Sequence, residues 1–434
     1  MVNNYASYTA IAILGIIGIG YLILNGNIRL PIKLPEMGFV RRDGTQFFVD
    51  DRPFYINGWN SYWMMSEGVE WLSRSNVRSI LDDGAGMGLN LVRTWAFNDA
   101  GYHALQRSPG HYDEDVFKAL DYVIVEARRR NIRLLLSLTN NLEAFGGKGQ
   151  YVYWARQANA DVGYSNDTFF SDPTIKDYYK SHVKKILTRV NSITGVAYKD
   201  EPAIFAWELM NEPRCIIDPS GNTLQTWIEE MSVYVKSLDS KHLLTVGLEG
   251  FYNSWSPDSL VANPGHWADF LGSDFIRNHL LSTIDFASIH AYPDIWMPEV
   301  SFEEQLKGFS KWVDTHVQDG ALRLQKPVLV TEFGLKTKSS TRHRLELLKA
   351  MYDAAFDSAR NGEACAGAML WQLLEEGLDE YGDDYAIVPR DEPQVTELVG
   401  AHSCRLEKLF HSNFTAAVTH RKNKQVSTCE PLLV

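Results

Sequence analysis

From Leu34 onward the chain alternates short apolar runs with longer amphipathic stretches, and that rhythm leaves few folds open. Eight runs stand out: Phe54 to Asn57, Leu89 to Trp95, Leu134 to Thr139, Ile204 to Asn211, Leu243 to Leu248, Phe286 to His290, Val328 to Thr331 and Ala368 to Gln372. Near-continuous apolar runs are what strands covered on both faces require, and parallel neighbours need a helix-length crossover between them. The intervening stretches supply it. In Val116 to Arg128, apolar Val116, Phe117, Leu120, Val123, Ile124 and Ala127 recur on one helical face behind an acidic first turn. Asp172-Pro173 pairs an N-cap with proline at the first helical position, ahead of Tyr178, Tyr179, Val183, Ile186 and Leu187. Eight such βα units predict closure into one (β/α)8 TIM barrel, an α/β fold spanning residues 36–416 as a single domain. A hairpin turning at Asp43-Gly44, between Phe39-Val40 and Phe47-Phe48-Val49, is expected to cover its bottom.

The two ends are different material. Residues 1–28 read as a targeting segment, almost wholly apolar from Ala10 to Leu24. A helix over that stretch reaches only about 22 Å against a hydrocarbon core of about 30 Å, which favours a cleaved signal peptide. No basic residue precedes it and no Ala-x-Ala site follows, so an uncleaved anchor stays open. The expected location is therefore outside the cell, with membrane contact only through this segment if it is retained. Two sequons, Asn166-Asp167-Thr168 and Asn413-Phe414-Thr415, fit that route. Cys215, Cys365, Cys404 and Cys429 permit three complete pairings, of which Cys215 with Cys365 is disfavoured because they sit at opposite ends of their strands. Residues 417–434, with Arg421-Lys422-Asn423-Lys424, read as a solvated tail. With a net charge of −12 and no longer basic block, the chain offers nothing to neutralise a run of phosphates, which excludes nucleic acid as a partner.

A barrel of this kind places its chemistry at the C-terminal ends of its strands, so the polar residues closing each run carry the functional reading. Arg93 and Trp95 close the second, Asn140 and Asn141 follow the third, and Asn211 and Glu212 close the fourth. Glu249 closes the fifth, His290 with Tyr292 the sixth, Glu332 the seventh and Trp371 the eighth. Period-two alternation puts Arg93 with Trp95, and His290 with Tyr292, on common faces. Two carboxylates, Glu212 and Glu332, at the tops of different strands are what cleavage of a glycosidic bond needs: one protonates the leaving oxygen and one attacks carbon. Glu208 lies about 13 Å deeper on the same strand as Glu212, which makes it an interior residue rather than a reacting one. The long connection from Asn141 to Thr168, containing Gly146-Gly147-Lys148-Gly149, is expected to wall a cleft. Trp95, Trp154 and Trp296 are candidate stacking platforms for sugars, with packing inside the loops the alternative for the last two.

The ordered set Val92-Arg93-Thr94-Trp95-Ala96-Phe97, Asn211-Glu212-Pro213, His290-Ala291-Tyr292, Thr331-Glu332-Phe333-Gly334 and Trp371 resembles family 5 glycoside hydrolases, and within them the plant endo-β-1,4-mannanases, over roughly Gly38 to Phe410. The resemblance implies Glu212 as acid/base and Glu332 as nucleophile. It implies Arg93, Trp95, Asn140, Asn211, His290, Tyr292 and Trp371 as the surrounding substrate-binding shell, and a cis peptide at Trp371-Gln372. Neither a metal nor an organic cofactor is implied. The implied substrate is a neutral β-mannan of the cell wall, cut internally with retention. Related glucanases share both glutamates, but many carry a histidine where this chain has Asn140, which favours the mannanase reading. Transglycosylation on the same residues, and a non-catalytic sugar-binding wall protein, remain the alternatives.

Overall fold

The computed structural model describes residues 33–99 and 101–415. The targeting segment, the tail from 417, Cys429 and the side chain of Asn413 lie outside the described residues. The chain divides at Pro35/Glu36, and the barrel with all its strands and helices belongs to the unit from Glu36 onward. Among the described residues no helix is long and apolar enough to cross a membrane.

Eight parallel strands form the sheet: β1 (Ile56–Asn60), β2 (Leu91–Trp95), β3 (Arg133–Ser137), β4 (Ile204–Glu208), β5 (Leu243–Thr245), β6 (Ala287–Ala291), β7 (Val328–Phe333) and β8 (Cys365–Leu370). Their spatial order is β5-β4-β3-β2-β1-β8-β7-β6. The remaining seam, between β5 and β6, closes by individual bonds rather than a ladder: Asp285 N to Leu244 O at 2.8 Å and His290 N to Glu249 O at 2.9 Å. A helix follows each strand, and the expected starts are where the caps put them. Asp172 accepts from the Ile175 amide ahead of Pro173–Leu187, and Asp113 from the Asp115 amide ahead of Glu114–Arg129.

The first strand is displaced from expectation. Phe54 and Tyr55 lead into it, while Ile56-Asn57-Gly58-Trp59-Asn60 forms it, because the hairpin claims the residues before. Arg41–Asp43 pairs antiparallel with Gln46–Val49, which pairs in turn with Arg52–Pro53, and the Phe54 amide bonds back to Phe47. A Cβ at Gly58 would fall 2.6 Å from the Leu91 carbonyl, so the tight β1–β2 approach selects a residue of poor strand propensity.

Two apolar layers hold the barrel. Inside its lower end, Ile56, Leu91, Leu135, Phe205, Leu243, Phe286, Leu329 and Met369 close around Phe47 from the hairpin, whose ring meets Phe205 and Phe286 edge-on at 5.2 and 5.4 Å. The hairpin thus plugs the bottom, as expected. Outside, strand residues such as Val92, Trp207, Ile289 and Val330 pack on helix residues including Leu120, Val183, Met231 and Leu347. The interior above the plug is left for polar groups.

Candidate active site

Arg93 organises the top of the barrel. Fully buried on β2, it donates through Nε to both oxygens of Glu208 at 3.2 and 3.0 Å, and through Nη2 to Glu208 Oε1 at 2.7 Å. Nη2 also reaches Asn211 Oδ1 at 2.6 Å, while Nη1 reaches Asn60 Oδ1 at 3.1 Å and Glu332 Oε1 at 2.5 Å. One guanidinium thereby locks residues from β1, β4 and β7 in a fixed fork geometry. Glu208 is interior, as expected, and its role is now visible: it neutralises Arg93 from below while Glu332 meets it from above.

Glu332 would face the wrong way on a regular strand. Leu329 points into the barrel and Val330 toward the helices, so strict alternation turns residue 332 outward. The β7–β8 register slips between Val330 and Phe333, and the β6–β7 register between Ile289 and His290, and these irregularities bring Glu332 inward. Tyr292 then donates to Glu332 Oε2 at 2.6 Å. Glu212 sits beyond the end of β4 with φ of 52°, in the left-handed region that a non-glycine residue seldom occupies. Its Oε1 pairs with His290 Nδ1 at 2.7 Å.

One oxygen from each of Glu212 and Glu332 and a ring nitrogen of His290 lie within 4.8 Å of one another. Burial pushes both carboxyls above the ordinary range. Opposing it at Glu332 are the Arg93 guanidinium and the Tyr292 hydroxyl, both bonded to it, while the neighbouring Glu212 charge acts the other way; at Glu212 the opposition comes from Arg214 and Arg93, neither hydrogen-bonded to it, and Glu208 adds repulsion. The bonds from Arg93 and Tyr292, which Glu332 has and Glu212 lacks, favour the charge on Glu332 and the shared proton on Glu212. Burial lowers the His290 pKa, keeping the ring neutral. These three side chains could in principle offer ligands to a divalent cation. Both Glu332 oxygens are already engaged, however, and a guanidinium 2.5 Å away opposes a second cation. Among the described residues no other such group converges.

The remaining expected residues divide. Asn211 keeps one amide hydrogen for a ligand, the other being donated to Asn140 Oδ1 at 3.0 Å. Asn140 itself is spent on protein: its Oδ1 also accepts from the Leu142 amide and its Nδ2 donates to the Ala144 carbonyl, so it orients Asn211 rather than facing the cleft. Trp371, joined to Gln372 by a cis peptide, is half-buried and donates from Nε1 to Asp383 Oδ2 at 2.7 Å. Trp95 is 4% exposed, between Tyr62 at 5.9 Å and Phe97 at 5.4 Å, with Arg93 over its ring at 4.8 Å. Trp154 is buried against Tyr151, and only Trp296, packed edge-on to Phe251, stays partly open. Packing thus claims two of the three expected platforms. The connection from Asn141 to Thr168 is not a plain loop but carries a helix, Gly147–Gln157, and a 3-10 turn, Asn166–Phe170. Cys215 and Cys365 are buried thiols not bridged to each other.

Asn60, Arg214, Tyr62 and Asp383 were not singled out from sequence. Asn60 closes β1 and was missed with that strand's true extent. Arg214 follows Asn211-Glu212-Pro213 directly and grips Glu249 through Nε at 2.7 Å and Nη2 at 2.5 Å. Glu249, through burial and the nearby Glu212, is raised to about 7. Tyr62 lies nearly parallel to Trp371, 12° apart at 5.8 Å, and Asp383 fixes that indole. The adjacency of Arg214 to the motif was the one available signal; the other contacts are tertiary.

A (β/α)8 barrel with two carboxyls, Glu332 buried and Glu212 partly so, close together over the tops of β4 and β7 defines a glycoside hydrolase. The family described as GH family 5 beta-mannosidase-like matches residues 37–378, and the chain belongs to it. It is similar to mannan endo-1,4-beta-mannosidase 5 of Arabidopsis thaliana, 52% identical over 86% of this chain and 88% of that one. Mannan endo-1,4-beta-mannosidase 2 of Oryza sativa subsp. japonica is 54% identical over 86% and 84%. Among solved structures, the endo-beta-1,4-mannanase from Thermotoga petrophila superposes with a TM-score of 0.71 at 33% identity, over 83% of this chain and 78% of that one.

Proposed function

We propose that this protein is an endo-acting mannan hydrolase that cuts internal β-1,4-mannosidic bonds of mannan, glucomannan and galactomannan with net retention. The observation that carries the reading is the pair Glu212 and Glu332, of which one oxygen from each lies within 4.8 Å of the other, a close approach that supports the retaining rather than the inverting arrangement. Glu332, held ionised by Arg93 and Tyr292, attacks the anomeric carbon. Glu212 passes its proton to the glycosidic oxygen as that bond breaks, leaving a covalent mannosyl ester on Glu332. In the second step Glu212 takes a proton from water, which attacks the same carbon and returns Glu332 as carboxylate. The unused Asn211 amide hydrogen is available to the 2-hydroxyl, where a bond strengthens as the ring flattens. Trp371 lies beneath that ring.

The named activities of the relatives support mannan as the substrate, and the apolar leader supports export to the cell wall, either free or tethered. Mannose and glucose differ only at the 2-hydroxyl, so a site built for the axial group leaves polar atoms unpaired when glucose binds. The test is digestion of glucomannan, pure mannan and cellulose, with end-group sequencing and NMR of the newly released anomer. Mannosyl reducing ends appearing first as the β-anomer are expected. Glucosyl ends, or faster cleavage of cellulose, would transfer the chain to the glucanases, and a dominance of lengthened products would make it a transglycosylase.

A further inference from the structure

The polar groups around the two glutamates fall on two sides. Trp371, Tyr62 and Trp95 form an aromatic group on one side, 5.8 to 6.4 Å apart. On the other, above β4 and β5, Arg214 follows Glu212 by two residues and grips Glu249 through Nε at 2.7 Å and Nη2 at 2.5 Å. Because Glu212 protonates the departing oxygen, the sugars that leave with that oxygen extend over this second side.

That side continues outward. The Arg214 guanidinium lies 6.0 Å from the ring of Phe251, which is 1% exposed, and the ring of Trp267 stands edge-on to Phe251 at 5.1 Å. Trp267 is 44% exposed and Phe270, one 3-10 turn on, is 61% exposed. The segment bearing them is fixed rather than adventitious. Asn263 donates to the Tyr252 carbonyl at 2.8 Å and to Asp269 at 2.7 Å, and accepts from the Tyr252 amide at 3.0 Å, tying it to the residues just above β5. Gly265 lets the indole lie against its backbone, since a Cβ there would come within 2.9 Å of Trp267 Cδ1 and Nε1. Held at its edge by Phe251 and Gly265 and 44% exposed, the indole presents flat apolar surface to solvent, and a pyranose offers the face that such a surface accepts.

We propose that Trp267, carried on the Asn263–Phe270 segment, is a distal stacking platform for the leaving-group half of a β-1,4-linked hexopyranose chain, beyond Arg214 and Glu249. The inference rests on the functional reading above and adds to it a reason for cutting long chains internally. The occupant is a polysaccharide because the platform continues outward from Glu212 through Arg214 and Phe251. Contact comes only after several sugar units, so short substrates do not reach it.

The test compares two substrates on the whole enzyme: mannohexaose, and an aryl β-mannobioside whose leaving group carries no sugar. In Trp267→Ala the ratio of kcat/KM on the first to that on the second is expected to fall roughly tenfold, the scale of one aromatic contact, with Trp267→Phe recovering part of it. The cleavage pattern of mannohexaose should shift toward products that leave this side empty. An unchanged ratio would overturn the proposal, whether both activities persist or both fall together. A dimer that Trp267→Ala converts to monomers in sedimentation would reassign the ring to self-association. A wild-type enzyme inactive on both substrates would sink the functional reading and this one with it, an outcome distinct from an active enzyme indifferent to Trp267.

Discussion

Removing one hydroxyl isolates what keeps the nucleophile charged. Tyr292→Phe deletes the 2.6 Å donor to Glu332 Oε2 but retains the ring, which packs edge-on to Tyr385 at 5.1 Å and Trp296 at 6.4 Å, so the fold is expected to survive. A neutral donor bonded to a buried carboxylate contributes about 1.5–3 kcal/mol to the charged form, which at about 1.4 kcal/mol per unit is about 1–2 pKa units. The sign follows from the chemistry: the bond favours ionised Glu332, so its loss raises that pKa, and activity requires Glu332 ionised. The acidic limb of kcat/KM against pH should therefore move upward by about 1–2 units. The alkaline limb, set by loss of the proton on Glu212, should move far less. Glu332 keeps Arg93 at 2.5 Å, so activity at the new optimum is reduced rather than abolished. The measurement is a pH series of kcat/KM on a soluble mannan, with thermal unfolding as a control on folding. An acidic limb that stays in place, or an alkaline limb that moves alone, would refute the assignment of Tyr292 and with it the division of labour between the two glutamates.

Glu332→Ala and Glu212→Ala should each lower turnover by at least roughly a hundredfold with folding preserved. Azide should then give the inverted mannosyl azide with the first and the retained one with the second, and retention of most activity by either variant would remove it from the mechanism. Glu208→Ala strands the buried Arg93 without its bidentate partner and should cost about 3–5 kcal/mol in urea unfolding, with Glu208→Gln recovering part. A loss below about 1 kcal/mol, typical of a surface pair, would show that Arg93 is adequately held from above. A chain beginning at Glu36, where the folded unit starts, should match the full chain in kcat, and protein recovered from the medium should start between Gly20 and Gly38. Intact Met1 in a membrane fraction would instead mean tethering.

Much of this protein is written in local pattern. Apolar runs at strand length, spaced by helix-length amphipathic stretches, admit only a parallel closed sheet, and closure alone assigns the chemistry to the strand tops. That is enough to pick out Arg93, Asn211, Glu212, His290, Tyr292 and Glu332, which the structure joins in one hydrogen-bonded network, and Trp371, which packs beside Tyr62 and Trp95. The pattern fails where a local preference is outweighed by a neighbour. Gly58 and Asn60 belong to β1 although neither favours a strand, because β2 approaches too closely for a side chain at residue 58. Trp95 looks like a platform and is a wall, because Tyr62 and Phe97 cover it. Asn140 looks like a ligand for substrate, but its side-chain atoms are engaged by Asn211, Leu142 and Ala144.

The clearest division lies at Glu332 itself. Its identity and its place at the end of a strand are sequence properties, yet a perfect two-residue repeat from Leu329 would send it into the helix layer. Register slips against both neighbouring strands turn it toward Glu212. Such slips are set by how β6, β7 and β8 shear against one another in a closing barrel, a relation among residues far apart in the chain. Sequence thus determined which groups reach the rim, and only the assembled barrel decided that two of them face each other.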